Sequence, residues 1–477
     1  MKNLFNISNL YLLVLWMVFL LITFMGSLGQ VTRWDLLDQI SMADNFIING
    51  QMYPLSVDQL PHGVSVYFPG TALLANFIRL TGIDIYLVEI MHLIASISVL
   101  IFLIIQIKLA QRLDDRLTFG TGSFLVIFFC LFNTWHWWEY AREFKPDTIA
   151  IILGYIGLIT ASMLRPNAKF LRVILGALIC SAGLIFKQQY IVFVLGIIIY
   201  CIVFPNKNRF VFSGILGLTS LVIAYYLVSI PSLWFWNVTV LSDDGMLSIM
   251  DILIGNYHTV VRLFFTLFLG YQLLKLSQIK LVKLESVLSW SKIKAVASTN
   301  PWIWAAIPSM FAAFASAAKV GGNSGNTQLG LMLALPLIVV IFYQINKSLI
   351  VGVTCLALLT ELTSFYFGPQ QYSQALDLKK FVANSVENKT SRILTGSNVY
   401  FATRVSRQNS ETTFYNYWSI AARDSTSLST GFKKALSFEP DYLVVENWPN
   451  NIKILEADDR YETLFLNEAG LVAKLRD

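Results

Sequence analysis

The sequence predicts a polytopic α-helical membrane protein with about eleven transmembrane helices and a small C-terminal α/β domain outside the bilayer. Three observations predict it. Hydrophobic residues make up 56% of the 477-residue chain and charged residues only 13%. The mean hydropathy of +0.61 lies outside the range of soluble domains. Apolar runs of roughly 18 residues or more also recur along the chain, each long enough to cross about 30 Å of hydrocarbon at 1.5 Å per residue. After residue 368 the pattern changes to short β-type runs, which divides the chain into a membrane part, 1–368, and an α/β domain, 369–477.

In chain order, spans are expected near 9–27, 84–107, 119–137, 147–164, 171–186, 189–204, 210–230, 257–274, 301–318, 328–345 and 348–367. The first reads as an uncleaved anchor, because its apolar stretch is long for a signal sequence. With the N-terminus in the cytoplasm, Lys108, Arg112 and Arg116, then Arg165, Lys169 and Arg172, then Lys207 and Arg209, then Lys275 through Lys294 all fall inside. That arrangement obeys the positive-inside rule. The net charge of +6 therefore reports topology rather than nucleic-acid binding. Cys130, Cys180, Cys201 and Cys355 all lie in apolar runs, which argues against a disulfide framework.

This orientation puts 28–83, 138–146, 231–256, 319–327 and the C-terminal domain on the outer side. The segment 28–83 is far longer than a connection requires, so it should be structured. Asp35 to Ile48 and Val66 to Leu80 both read as helices lying at the membrane surface. In the tail, Ser391 to Phe401 and Tyr442 to Glu446 have strand character, with a helix at Ser429 to Leu436. No internal repeat is visible, which argues against a transporter built from inverted repeats.

The outer segments also hold the residues able to do chemistry. Asp35 follows the first span beside Trp34, with Asp38 one helical turn further on. A carboxylate there can accept a proton from an incoming hydroxyl, although a solvated loop acid would look the same. Trp135 to Asp147 reads W-H-W-W-E-Y-A-R-E-F-K-P-D. Aromatics at a helix end usually form an interfacial belt, yet Trp138 here runs directly into Arg142, Glu143 and Asp147. Asp147 follows Pro146 and so belongs in the first turn of the next helix, where capping alone would justify a carboxylate. Lys187 ends the fifth span, with the next beginning almost at once. Its ammonium suits a lipid phosphate as a point charge, or it snorkels to headgroups. His258 and Arg262 lie near the outer end of the eighth span, and Lys319 precedes the turn-forming run G-G-N-S-G-N. One histidine among scattered acids is not a metal motif, and the sequence leaves open whether a divalent cation takes part.

Several of these segments together resemble the GT-C superfamily of membrane glycosyltransferases, especially bacterial protein O-mannosyltransferase and aminoarabinose transferase-like proteins (family 39-like). Asp35 to Asn49 is similar to the acidic helix of the family's first outer loop. Gly50 to Pro54 reads G-Q-M-Y-P, Val66 to Thr71 reads V-Y-F-P-G-T, Tyr140 to Asp147 reads Y-A-R-E-F-K-P-D, and Gly183 to Gln189 reads G-L-I-F-K-Q-Q. The resemblance is carried by residues 1–260 and rests on hydropathy beyond. The family's usual Asp-Glu pair is absent; W-D-L-L-D stands in its place and leaves both Asp35 and Asp38 as candidates.

The resemblance implies transfer of a sugar from a polyprenyl-phosphate donor to a lipid, glycan or protein acceptor on the outer face of a bacterial plasma membrane. No other cofactor is implied. A lipid phosphate is a competent leaving group, so the reaction needs a base on the acceptor and cations on the phosphate. On that reading Asp35 is the base and Lys187 and Arg142 hold the phosphate, with Arg262 and Lys319 as further cations. Asp147 orients the acceptor or a cation, and Trp34, Tyr67, Trp138, Glu143 and His258 line the sugar and acceptor side. The alternatives are a transporter or flippase of lipid-linked sugars, a glycan polymerase or ligase, and a scaffold whose tail binds a partner. Sugar, acceptor, polyprenyl length and oligomeric state are not written in these residues.

Overall fold

In the computed structural model the described residues are 7–29, 34–50, 52, 68–83, 86–132, 146–230, 233, 296–317, 335–336, 339–340, 343, 351–352, 354–355, 358–359, 362–385, 391–408, 413–416 and 427–476. The membrane part is built from α1 (Ile7–Leu28), α2 (Trp34–Asn49), α3 (Gly70–Arg79), α4 (Leu87–Leu113), α5 (Phe119–Phe132), α6 (Pro146–Thr160), α7 (Phe170–Ala182), α8 (Ile191–Val203), α9 (Lys207–Val228) and α10 (Pro301–Ala317). Every expected span up to residue 230, and the one near 301–318, falls on one of these helices. The span near 257–274 lies outside the described residues, as does most of 328–367.

Among the described residues, α1, α4 and α9 have the length and apolarity to cross a bilayer. Only 22% of the apolar window of α9 is buried, although its mean hydropathy is 2.0. Phe210, Leu218, Leu221 and Tyr225 are exposed along it. Such a face is stable only against lipid, where the helical backbone satisfies its own hydrogen bonds. The other faces pack into one apolar cluster that joins α1, α4, α5, α6, α7, α8 and α10.

The helices alternate in direction through short connections, so α1 and α7 end where α4, α6 and α8 begin. We call this the loop end. At the opposite end, side chains knit the turns together. Asn206 caps α9 by accepting from the Arg209 N–H at 2.9 Å. The Asn208 amide donates to the carbonyls of Arg165, Pro166 and Ala168.

At the loop end, α2 and α3 form as the sequence implies. The helix of the V-Y-F-P-G-T stretch starts only at Gly70, because Pro69 sets the turn before it. Both helices bury apolar faces (Leu36, Leu37, Ile40 and Ala43 on α2; Ala72, Ala75 and Ile78 on α3) against the start of α4.

The C-terminal residues form α11 (Leu362–Ser385), α12 (Tyr400–Gln408), α13 (Leu428–Leu436), α14 (Pro449–Glu456) and strands β1 (Arg392–Thr395), β2 (Thr413–Asn416), β3 (Tyr442–Val445), β4 (Tyr461–Leu466) and β5 (Leu471–Leu475). They make one mixed sheet in the order β2-β1-β3-β5-β4, with β1 parallel to β2 and β3, and β5 antiparallel to β3 and β4. The stretch 391–401 is a strand only as far as Thr395. Gly396 then opens a turn that leads into α12.

This α/β part is not tethered loosely. α11 runs unbroken through Gly368 and Pro369, and a side chain at Gly368 would collide with the backbone of Met25 in α1. The apolar cluster of the loop helices continues into Leu394, Tyr400, Phe401, Phe432 and Leu443 of the sheet and its helices.

Candidate functional site

Two sequence-predicted residues meet at the loop end. Lys187 sits between two short 3-10 turns, Gly183–Ile185 and Gln188–Tyr190, with extended backbone at φ −145° and ψ 125°. Asp147 lies in the first turn of α6, directly after Pro146. The Lys187 Nζ pairs with Asp147 Oδ2 at 3.1 Å, with the side chains 10% and 13% exposed. An ammonium enclosed to this degree is costly unless it is paired, and Asp147 supplies the pairing.

The junction that carries Lys187 is held from three directions. The Tyr190 hydroxyl donates to the Cys180 carbonyl at 3.0 Å, and its ring stacks on Phe193 with centroids 4.9 Å apart. From the third side, Gly70 at the start of α3 comes so close that a Cβ there would lie 2.7 Å from the Phe186 ring and 2.9 Å from the Ile185 carbonyl oxygen. The V-Y-F-P-G-T and G-L-I-F-K-Q-Q stretches are therefore in contact, and glycine is required at their meeting point.

Asp35 is the second residue of α2, at the end nearest the chain exit from α1. Asp38 is buried, 3% exposed, and engaged with a neighbour. Tyr67, Trp138, Arg142, Glu143, His258, Arg262 and Lys319 lie outside the described residues, and for Trp34 and Asp35 only the backbone is described. Among the described residues there is no cluster of histidine, cysteine and carboxylate able to hold a metal ion.

Sequence reasoning missed a second charged group. Asp44 on α2 is 1% exposed. Its Oδ2 accepts from the Tyr400 hydroxyl at 2.7 Å and from Arg404 Nε at 3.2 Å, and its Oδ1 pairs with the Arg79 guanidinium. Beside it, the Tyr372 hydroxyl donates to Glu89 Oε1 at 2.7 Å. Burial, then that hydrogen bond, holds the Tyr372 hydroxyl well above its ordinary pKa. Lys379 lies over the Phe401 ring at 4.5 Å, and burial lowers its pKa while Glu89 opposes the shift. Asp44 is one acid among several in the segment 28–83, and nothing local sets it apart.

The described helix bundle, with α2, α3 and an α/β layer at one end, has the overall fold of solved membrane-protein structures. Solved structures that share this fold include those of ArnT from Cupriavidus metallidurans. For ArnT bound to undecaprenyl phosphate the TM-score is 0.58 at 11% sequence identity, covering 97% of both chains. For the apo state the TM-score is 0.55 at 12% identity, covering 98% of both chains. The likeness establishes a common fold. No protein-family model matches the sequence, and no curated protein does.

Proposed function

We propose that this protein is a glycosyltransferase that moves a sugar from a polyprenyl-phosphate donor to an acceptor on the extracytoplasmic face of the plasma membrane. The observation that carries the reading is the enclosed Lys187–Asp147 pair, built from two of the motif segments and touched by a third at Gly70, in a fold shared end to end with a protein crystallised with undecaprenyl phosphate. Asp147 holds the Lys187 ammonium in place, which favours the cation-orienting role for this acid over direct contact with the acceptor. The ammonium would neutralise the charge growing on the phosphate as the glycosidic bond breaks.

A parallel run of α2 and α3 would bring Asp35 to the same place. Arg79 at the end of α3 pairs with Asp44 near the end of α2, and the two helices pack side by side. Nine residues back, roughly 13 Å along each axis, stand Asp35 on α2 and Gly70 on α3. Gly70 lies against Phe186, the neighbour of Lys187. The enclosure of Asp38 favours Asp35 as the base that an acceptor can reach. Direct attack with Asp35 as base and no carboxylate nucleophile would invert the anomeric centre.

Mass spectrometry of lipid-linked glycans from cells lacking this protein tests the reading. We expect one polyprenyl-phosphate sugar to accumulate and one glycosylated product to disappear. An unchanged lipid-linked pool, with the acceptor still modified, would overturn it.

A further inference from the structure

In the α/β part the chain leaves β1 toward β2 on one side, and leaves β3 toward β4 and β5 on the other. The C-terminal ends of β1 and β3 therefore flank a topological switch point. In open α/β sheets this crevice, beside a helix N-terminus, is where ligands bind, anions above all. Its walls here are Gly396 to Asn398 after β1 and Glu446 after β3. Glu446 is 3% exposed, lies against Gly396, and accepts from the Asn398 N–H at 3.0 Å. The turn at 397–399 and the helix that follows it, α12, pack on α2 of the loop end. From one face of α12, Tyr400 and Arg404 reach the same α2 side chain, the carboxylate of Asp44.

We infer that Asp44 is a positioning residue: its bonds to Tyr400 and Arg404 of the C-terminal α/β part set the register of α2 and with it the place of Asp35. The inference rests on the reading of Asp35 as the base. Apolar contacts alone would leave α2 weakly specified, because the burial of Leu36, Leu37, Ile40 and Ala43 is non-directional. Charge-assisted hydrogen bonds are directional. Tyr400 and Arg404 fix both the rotation and the axial position of a rigid helix whose other end carries Asp35. Arg79 ties the same carboxylate to α3, and so to the Gly70 contact with the Lys187 junction. The α/β part thus acts on the reaction through α2, without touching the reacting atoms.

The test uses the full-length chain with Tyr400→Phe, Arg404→Lys and Arg404→Met. It has two independent readouts: amide hydrogen exchange over residues 34–45, and transfer kinetics alongside binding of undecaprenyl phosphate as probe. We expect Arg404→Met and Tyr400→Phe to speed exchange in α2 while α4 and α9 stay protected. Turnover should fall by about tenfold to a hundredfold with undecaprenyl phosphate binding unchanged. Arg404→Lys should recover part of both. Unchanged exchange in α2 in Tyr400→Phe and Arg404→Lys overturns the inference, as does a parallel loss of turnover and probe binding. Should Arg404→Met fail to fold, Tyr400→Phe, which removes a single oxygen, decides the matter. Exchange coupled as expected in a chain that never transfers sugar would fail the functional reading alone.

Discussion

The Lys187–Asp147 pair and the Asp44 cluster are both buried, both charged and both at the loop end, yet they are built for different tasks. In the first, a lysine ammonium meets an aspartate carboxylate among the described residues, with both side chains slightly open at 10% and 13%. The second is a carboxylate only 1% exposed, clasped by two guanidinium groups and a phenol. A slightly open pair would exchange part of its bonding to an incoming phosphate, as the proposed function requires, at smaller cost than a fully enclosed one. A closed cluster cannot, and serves as a joint. The two groups thus differ in how far water reaches their charges.

The largest expected effect falls on the joint. Asp44→Asn removes the carboxylate charge that two buried guanidinium groups face and should cost about 3–5 kcal/mol. Thermal unfolding in detergent should show the C-terminal sheet separating before the helices melt, and a single unshifted transition would show that the cluster is not the joint. Asp147→Asn should cost less, about 1.5–3 kcal/mol, because Lys187 retains some access to water. The exchanged pair, Asp147→Lys with Lys187→Asp, sharpens the contrast: stability should return while transfer stays lost, since the cation then projects from the wrong helix. Recovery of transfer by the exchanged pair would reduce the two residues to a structural role.

Gly70→Ala should cost about 1–2 kcal/mol through overlap with Phe186 and Ile185, and should lower transfer without changing either charge. The smallest effect is expected at Lys379. Its pKa is lowered by burial, so the unfolded chain binds more protons between that lowered value and the ordinary lysine range. Stability should therefore rise with pH through that window and level off above it. Lys379→Met should abolish this slope and change stability by under about 1 kcal/mol, because the contact with Phe401 is lost as the desolvation cost is relieved.

What the sequence made legible follows the range of the interactions. Span positions depend on local apolar length, and the described spans lie where that length puts them. The helices at Trp34–Asn49 and Gly70–Arg79 were readable as apolar stretches, the second with its start expected at Val66, four residues too early. Lys187 and Asp147 were each readable as the charge at a helix end, though not as partners. The Asp44 cluster was not readable, because Tyr400 and Arg404 lie 356 and 360 residues away and each resembles an ordinary surface residue in its own neighbourhood. The strand at 391–401 was half readable. Its β-type composition continues past Thr395, but Gly396 against the Glu446 carboxylate ends the strand through a contact from another strand.

With Asp35 as the proposed base, a proton must leave the acceptor at the N-terminal end of α2. Sugar transfer by Asp35→Asn, measured in membranes against the unaltered chain with undecaprenyl phosphate binding as a control, tests that directly. A fall in rate of about 10²- to 10⁴-fold with binding retained is the predicted result. Transfer at the full rate would contradict it.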